Sequence, residues 1–413
     1  MAILKGACVI AQSGGPTAVI NASFYGAAKA ALAAPEITRV LGAAHGIKGV
    51  LNDVLYDIGQ EDPAELEKLP YTPSSELGSC RYKLADPEKD DRDYKRILEI
   101  FRKYDVRYFF YNGGNDSMDT CDKISRFMAR SGWECRVMGI PKTIDNDLVG
   151  TDHCPGFASA AKYIATSCME VSKDARVYDT GAVTVVEIMG RHAGWLAASA
   201  ALATHFGAGP DLVYLPETDF DMEDFMARVK ALYEKQGSAF VAVSEGIHYA
   251  DGRFVSEAET SATDGFGHAQ LGGLAVRLAE AVKVRLGVKV RGIELSLLQR
   301  CGAHLASKTD MDEAMMAGRV AVEKAVAGET GYMVAFDCSR EGGVYTCVPK
   351  LIPLTSVANA EKKIPLEWIG EDKCSVKQPF IDYLLPLIQG EPTRPLENGL
   401  PRFARLKKVR AEA

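Results

Sequence analysis

Short apolar runs ending in a polar or glycine-bearing turn recur along this chain, and a segment of helical spacing follows most of them. Gly6–Gln12 is the first such run; it ends in "SGGP" and leads into a helix-like stretch over 17–33, with Ile20, Phe24 and Ala27 on one face. A second strand is expected at 39–44. The proline-bearing, acidic stretch 57–89 lacks long periodicity and reads as a loop-rich excursion. Tyr94, Ile97, Leu98, Phe101 and Tyr104 then recur at helical spacing before a strand at 106–111, the turn "GGNDS" and another helix. A run at 136–140 leads into "PKTIDND". The second half repeats the pattern, with strands at 183–188, 212–215, 240–244 and 289–297 and helices at 193–204, 222–235, 269–286 and 311–327. "GYMVAF" and "GVYTCV" then form a hairpin. Strands alternating with helices imply parallel sheets covered on both faces, and two such sets imply two three-layer α/β lobes. In open sheets of this kind, ligands sit beyond the carboxyl ends of the strands. "SGGP", "GGNDS", "PKTIDND", "MGR" and "SEG" all fall at those ends, so a site is expected there.

Composition removes several function classes. The net charge of -7 comes with no basic stripe, so no nucleic-acid partner is expected. No apolar run approaches a membrane span, and the N-terminal stretch is too short and interrupted for a signal peptide. A cytoplasmic location follows as an expectation. Ten cysteines are scattered without a CxxC pair, which suits reduced, mostly buried thiols rather than a disulfide framework or zinc site.

The turns themselves carry chemistry. In "SGGP", Gly14 and Gly15 let backbone amides approach an anion, and the following helix adds its positive end. In "PKTIDND", Lys142, Thr143, Asp145, Asn146 and Asp147 crowd two carboxylates, a hydroxyl and an ammonium into six residues. That is costly unless they face water, a metal or a charged substrate. A positioned base, a magnesium ion and cations on developing charge are the parts phosphoryl transfer requires.

"SGGP", "GGNDS", "PKTIDND", "MGR" and "LLQR", in this order from about residue 6 to about residue 328, resemble the phosphofructokinase family. The resemblance implies two Rossmann-like lobes with mainly parallel sheets and an active site in the cleft between them. It implies a phosphoryl-donor lobe from 1–150 plus about 300–330, a sugar-phosphate lobe from 151–299, and an extension over 331–413 of unassigned role. The activity implied is Mg²⁺-dependent transfer of a phosphoryl group to the 1-hydroxyl of fructose 6-phosphate, by a homodimer or homotetramer. Carried over by position, Asp145 is the proton acceptor, Thr143 stabilises the transferring group and Asp147 lies near the magnesium with Asn115. Gly14, Gly15, Arg81, Gly114 and Ser117 meet the donor. Ile144, Met189, Gly190, Arg191 and Glu245 join Thr143 and Asp145 around the sugar. Leu297 opens the "LLQR" stretch, and Arg300 and Arg291 hold the 6-phosphate, Arg291 being one that the family can supply across a subunit interface.

"GGNDS" also bears on the donor. Family members that use ATP have "GGDGS" and "PGTIDND", whereas those that use pyrophosphate have Asp and Lys at the positions of Asp116 and Lys142. A carboxylate about 4 Å from a nucleotide α-phosphate costs roughly 4 kcal/mol at an effective dielectric near 20. That amounts to about a thousandfold in affinity. Pyrophosphate has no α-phosphate to repel, and Lys142 offers it a point charge. The expected donor is therefore pyrophosphate, with ATP the nearest alternative and a non-catalytic sugar-phosphate binder the next. A dinucleotide oxidoreductase lacks its fingerprint, because no G-x-G-x-x-G follows the first strand. Three positions depart from the family pattern: Asn115 replaces a carboxylate, Leu297 replaces a polar residue, and Ala182 replaces an arginine for which Arg176 is the nearby substitute.

Overall fold

A computed structural model describes residues 4–177, 179–256, 273–358 and 360–412. Its larger sheet has seven strands, β1 (Gly6–Gln12), β2 (Ile37–Ala43), β3 (Leu55–Asp57), β4 (Val106–Gly113), β5 (Arg136–Pro141), β10 (Tyr332–Ser339) and β11 (Thr346–Pro353), in the order β11-β10-β5-β4-β1-β2-β3. The smaller sheet runs β7-β8-β6-β9, from β6 (Ala182–Ile188), β7 (Leu212–Tyr214), β8 (Ser238–Ser244) and β9 (Val290–Glu294). Within these two sheets every pairing is parallel except the edges β2–β3 and β10–β11. β1 and β6 are buried at all seven positions, as continuous apolar runs covered on both faces must be.

Strand order determines where a ligand can sit. From β1 the chain crosses to β2 on one side, while β4 and β5 lie on the other, so the β1/β4 boundary is a topological switch point. Register sets Gln12 opposite Asn112 and Gly113 opposite Pro141, so the turns after β1, β4 and β5 leave at one level. In the smaller sheet Ile188 faces Ser244 and Glu187 faces Glu294, which aligns the turns after β6, β8 and β9.

Several elements differ from expectation. The helix Phe157–Ala175 has no sequence counterpart above; its first turn is buried all round, with small residues following Phe157, so no one-sided stripe marks it there. The helix expected over 17–33 begins at Ile20, and the strand expected over 289–297 stops at Glu294, before Ser296 takes φ 44°. The helix expected over 269–286 is Leu274–Leu286, its first residues, 269–272, lying outside the described ones. The segment without an assigned role supplies β10 and β11 to the larger sheet. Farther on, Phe380, Ile381, Tyr383 and Leu384 enter the core beneath the smaller one. No helix among the described residues is long and apolar enough to cross a membrane.

One buried ionic network ties the last part of the chain to the loop after β5. His153 sits between Asp152, whose Oδ1 is 3.0 Å from Nδ1, and Glu313, whose Oε2 is 2.7 Å from Nε2. Arg340 holds both Asp152 oxygens at 2.8 and 2.9 Å, and the Tyr345 hydroxyl donates to Glu313. Burial alone would push the imidazole pKa down, but its contacts with Asp152, Cys338 and Glu313 outweigh burial and hold it well above 6.5. A raised folded pKa stabilises fully below the unfolded value and loses that contribution as pH rises through the folded one. Glu313→Gln is therefore expected to cost about 3 kcal/mol near pH 6 and clearly less at pH 9. Urea unfolding at the two pH values checks this; an equal loss at both would show that His153 is not charged.

Candidate active site

The first wall comes from the turns after β1 and β4. Gly14 takes φ +76°, and its N–H donates to the Cys80 carbonyl at 3.2 Å, beside Arg81. The Lys142 ammonium donates to the Gly15 carbonyl at 2.6 Å. A Cβ on Gly14 would come within 3.3 Å of the Lys142 ammonium, and one on Gly15 within 3.0 Å of the Arg300 guanidinium. The glycine turn is thus a cradle approached by two cations. At the end of β4, a Cβ on Gly113 would lie 2.0 Å from the Ser117 hydroxyl, so the helix Asn115–Arg130 can fold back over the turn only because that position is glycine. Gly114 precedes the helix, and Asp116 lies in its first turn, 3.6 Å from the Lys83 ammonium. Its carboxylate is well placed at the positive end of the helix.

The turn after β5 forms the floor. Thr143 Oγ1 accepts from the Asp145 amide at 3.0 Å and lies 3.4 Å from Asp145 Oδ2. Burial pushes the Asp145 pKa up, while Lys142, Thr143, Arg191 and Arg300 oppose that shift. Asp147 is pushed up to about 7, by burial first and then by the charge of Asp145, while a hydrogen bond from Asn115 works the other way. Lys142 is buried, which lowers its pKa to about 8 against the pull of Asp145. Asn146, at the centre of the turn, adopts φ 55° and is fully buried, with Nδ2 donating to Tyr383 Oη at 2.9 Å and Oδ1 accepting from the Cys154 amide at 2.9 Å.

The second lobe closes the cleft. The Met189 amide donates to Gln299 Oε1 at 3.1 Å, and the Gly190 amide, from a backbone at φ +139°, donates to Glu245 Oε1 at 3.3 Å. Burial raises the Glu245 pKa to about 7, with Asp145 adding and Arg191 subtracting. Arg300 feels Arg81, Asp145 and Glu245 together. Charges from both lobes therefore share one site: Lys142, Asp145, Asp147, Arg81, Arg191, Glu245 and Arg300.

Not every expected residue joins it. Arg291 sits within β9, opposite Thr184 and short of the strand end, and pairs with Asp174 at 2.9 Å. Leu297 is 55% exposed. Ile144 packs its side chain into the core of the second lobe instead of the cleft. Arg176 is held by Asp211 and Ser172, and Ala182 is buried at the start of β6, the end of the sheet away from the cleft. Conversely, Asn146, Gln299 and Tyr383 help build the site without having been given a role in it. Asn146 and Gln299 lie inside motifs quoted above; Tyr383, far along the chain, gives no local signal.

With this geometry in place, comparison with known proteins is decisive. The family model described as Phosphofructokinase matches residues 7–323. The chain belongs to the phosphofructokinase family. Among curated phosphofructokinase relatives, the pyrophosphate–fructose 6-phosphate 1-phosphotransferase of Halomonas elongata is 47% identical over 97% of this chain and 96% of its own. That of Xanthomonas campestris is 45% identical over 98% and 97%. The crystal structure of a pyrophosphate-dependent phosphofructokinase from Nitrosospira multiformis superposes with a TM-score of 0.89 at 40% identity, covering 99% of this chain and 98% of the other. These matches run past residue 323, so the last part of this phosphofructokinase belongs to the shared architecture as well.

Proposed function

We propose that this phosphofructokinase transfers a phosphoryl group from pyrophosphate to the 1-hydroxyl of fructose 6-phosphate, releasing orthophosphate and fructose 1,6-bisphosphate. The observation that carries the donor assignment is the Lys142 ammonium inside the glycine turn, 2.6 Å from the Gly15 carbonyl, with Asp116 at the start of the neighbouring helix. The full-length relatives named for this reaction support it.

In this reading the Gly14–Gly15 turn and Lys142 hold the donor. Asp145, whose proton affinity burial raises against the pull of Lys142, Arg191 and Arg300, takes the proton of the 1-hydroxyl. The sugar oxygen bonds to the terminal phosphorus as the bridging P–O bond breaks, and orthophosphate leaves. Thr143 and Lys142 face the charge that develops. Gly190, Arg191 and Glu245 orient the sugar, and Arg300 lies where donor and acceptor meet. Asp147 and Asn115 fit a magnesium ion: both are oxygen donors, and the buried Asn115 Oδ1 has no hydrogen-bond partner among the described residues. Magnesium bound there would supply positive charge to the phosphate oxygens.

The test is fructose 1,6-bisphosphate formation from fructose 6-phosphate and Mg²⁺ with either donor. Turnover with pyrophosphate at least a hundredfold above that with ATP is expected. Preference for ATP would overturn the donor assignment, and silence with both would favour a sugar-phosphate binder.

A further inference from the structure

The catalytic turn is held partly from outside itself. Its central residue, Asn146, is in the left-handed region, and both polar ends of its side chain are used, one of them on Tyr383, 237 positions away. The Tyr383 hydroxyl accepts from Asn146 and donates to the Asp152 carbonyl at 2.8 Å, so it ties the centre of the turn that carries Asp145 and Asp147 to the chain that leaves it. A second contact acts on the same loop. The Lys362 amide donates to the Asp147 carbonyl at 2.7 Å, and the Lys362 ammonium donates to the Thr151 and Asp152 carbonyls at 3.1 and 2.7 Å. The same segment reaches the sugar side. Trp195 Nε1 donates to the Lys362 carbonyl at 2.9 Å, and the Ile364 amide shares Glu217 Oε1 with the amide of Gly194, three residues after Arg191.

From these contacts we infer that Tyr383 and Lys362 are positioning residues: the C-terminal part of the chain straps the catalytic turn and the sugar loop into register. All strap residues lie beyond the 7–323 match. The inference rests on the assignment of Asp145 and Asp147 to the reaction. The Tyr383 ring is anchored independently by Trp195, Trp368 and Phe380, with centroids 5.4, 5.5 and 6.3 Å away, so its hydroxyl can be removed while the packing stays. Without it, Asn146 Nδ2 is a buried donor with no acceptor, and the turn shifts to find one. The Asp152 carbonyl keeps Lys362.

Tyr383→Phe is expected to lower kcat by about ten- to a hundredfold, the usual range for groups that orient catalytic ones. KM for fructose 6-phosphate should stay within about twofold and Tm within about 3 °C, since packing is retained. Asn146→Gly, which accepts the backbone conformation but lacks the side chain, should lose a similar factor. The double variant should lose no more than the worse single one, because both break the same contact. Unchanged kcat in Tyr383→Phe, or losses that multiply in the double variant, would overturn the strap. Asp145→Asn, assayed alongside, separates the two readings: if it stays active, the assignment of the catalytic turn has failed rather than the strap.

Discussion

Asp145→Asn should reduce kcat by about 10²–10⁴-fold, the contribution of a positioned general base, while KM for fructose 6-phosphate changes little. Three carboxylates face the cleft, and their surroundings assign different work to each. Glu245 accepts the Gly190 amide at 3.3 Å, so its oxygen is committed to the sugar loop. Asp147 lies against Asn115 and is raised to about 7 by burial and by Asp145, a site that fits a cation. Asp145 lies beside Thr143 with Lys142, Arg191 and Arg300 around it; burial raises its proton affinity, as suits a base, and those cations oppose the rise. Asn keeps the shape and removes the basicity. The Thr143–Asp145 backbone contact at 3.0 Å does not involve the carboxylate, so the turn should survive the substitution. Steady-state kinetics with Tm measured on the same sample decides this: a fall in kcat of less than tenfold with a folded protein would move the base elsewhere.

Much of this site is legible in the sequence because it is local. Glycine after a buried strand, a helix behind it and carboxylates in a short turn report their surroundings through the chain itself, and parallel register then levels the turns. β1 was bounded to the residue, Gly6–Gln12, since both its ends are punctuated by glycine. What the sequence hid depends on distance or on evenness. The first turns of Phe157–Ala175 are buried on too many sides to show a periodic face. Asn146 reads as a turn former, yet its side chain is spent on a tyrosine that only the fold brings near. Arg291 has the charge for a phosphate but not the position, lying three residues short of the end of β9, about 10 Å at strand rise.

Donor choice supplies the other large effect. The double replacement Asp116→Gly with Lys142→Gly should raise kcat/KM for ATP by about 10²-fold and lower it for pyrophosphate at least as much. The first half is electrostatic: a carboxylate about 4 Å from an α-phosphate opposes it by roughly 4 kcal/mol at an effective dielectric near 20, and about half of that remains once the partner charge is counted. That partner is Lys83, 3.6 Å from Asp116 and more exposed than it, which tempers the repulsion without cancelling it. The second half is steric and electrostatic together. The Lys142 ammonium lies in the glycine turn itself, where a donor longer than pyrophosphate must thread, and desolvation has already lowered its pKa to about 8. Its loss removes the point charge that a small dianionic terminus uses most, because pyrophosphate has no nucleoside contacts to compensate. Each single variant should therefore lose pyrophosphate turnover or gain ATP binding, but not switch donor. Kinetics of the four proteins with both donors tests the coupling. If ATP turnover does not rise in the double variant, donor choice resides in the loop around Arg81 and Lys83 rather than in the two turns.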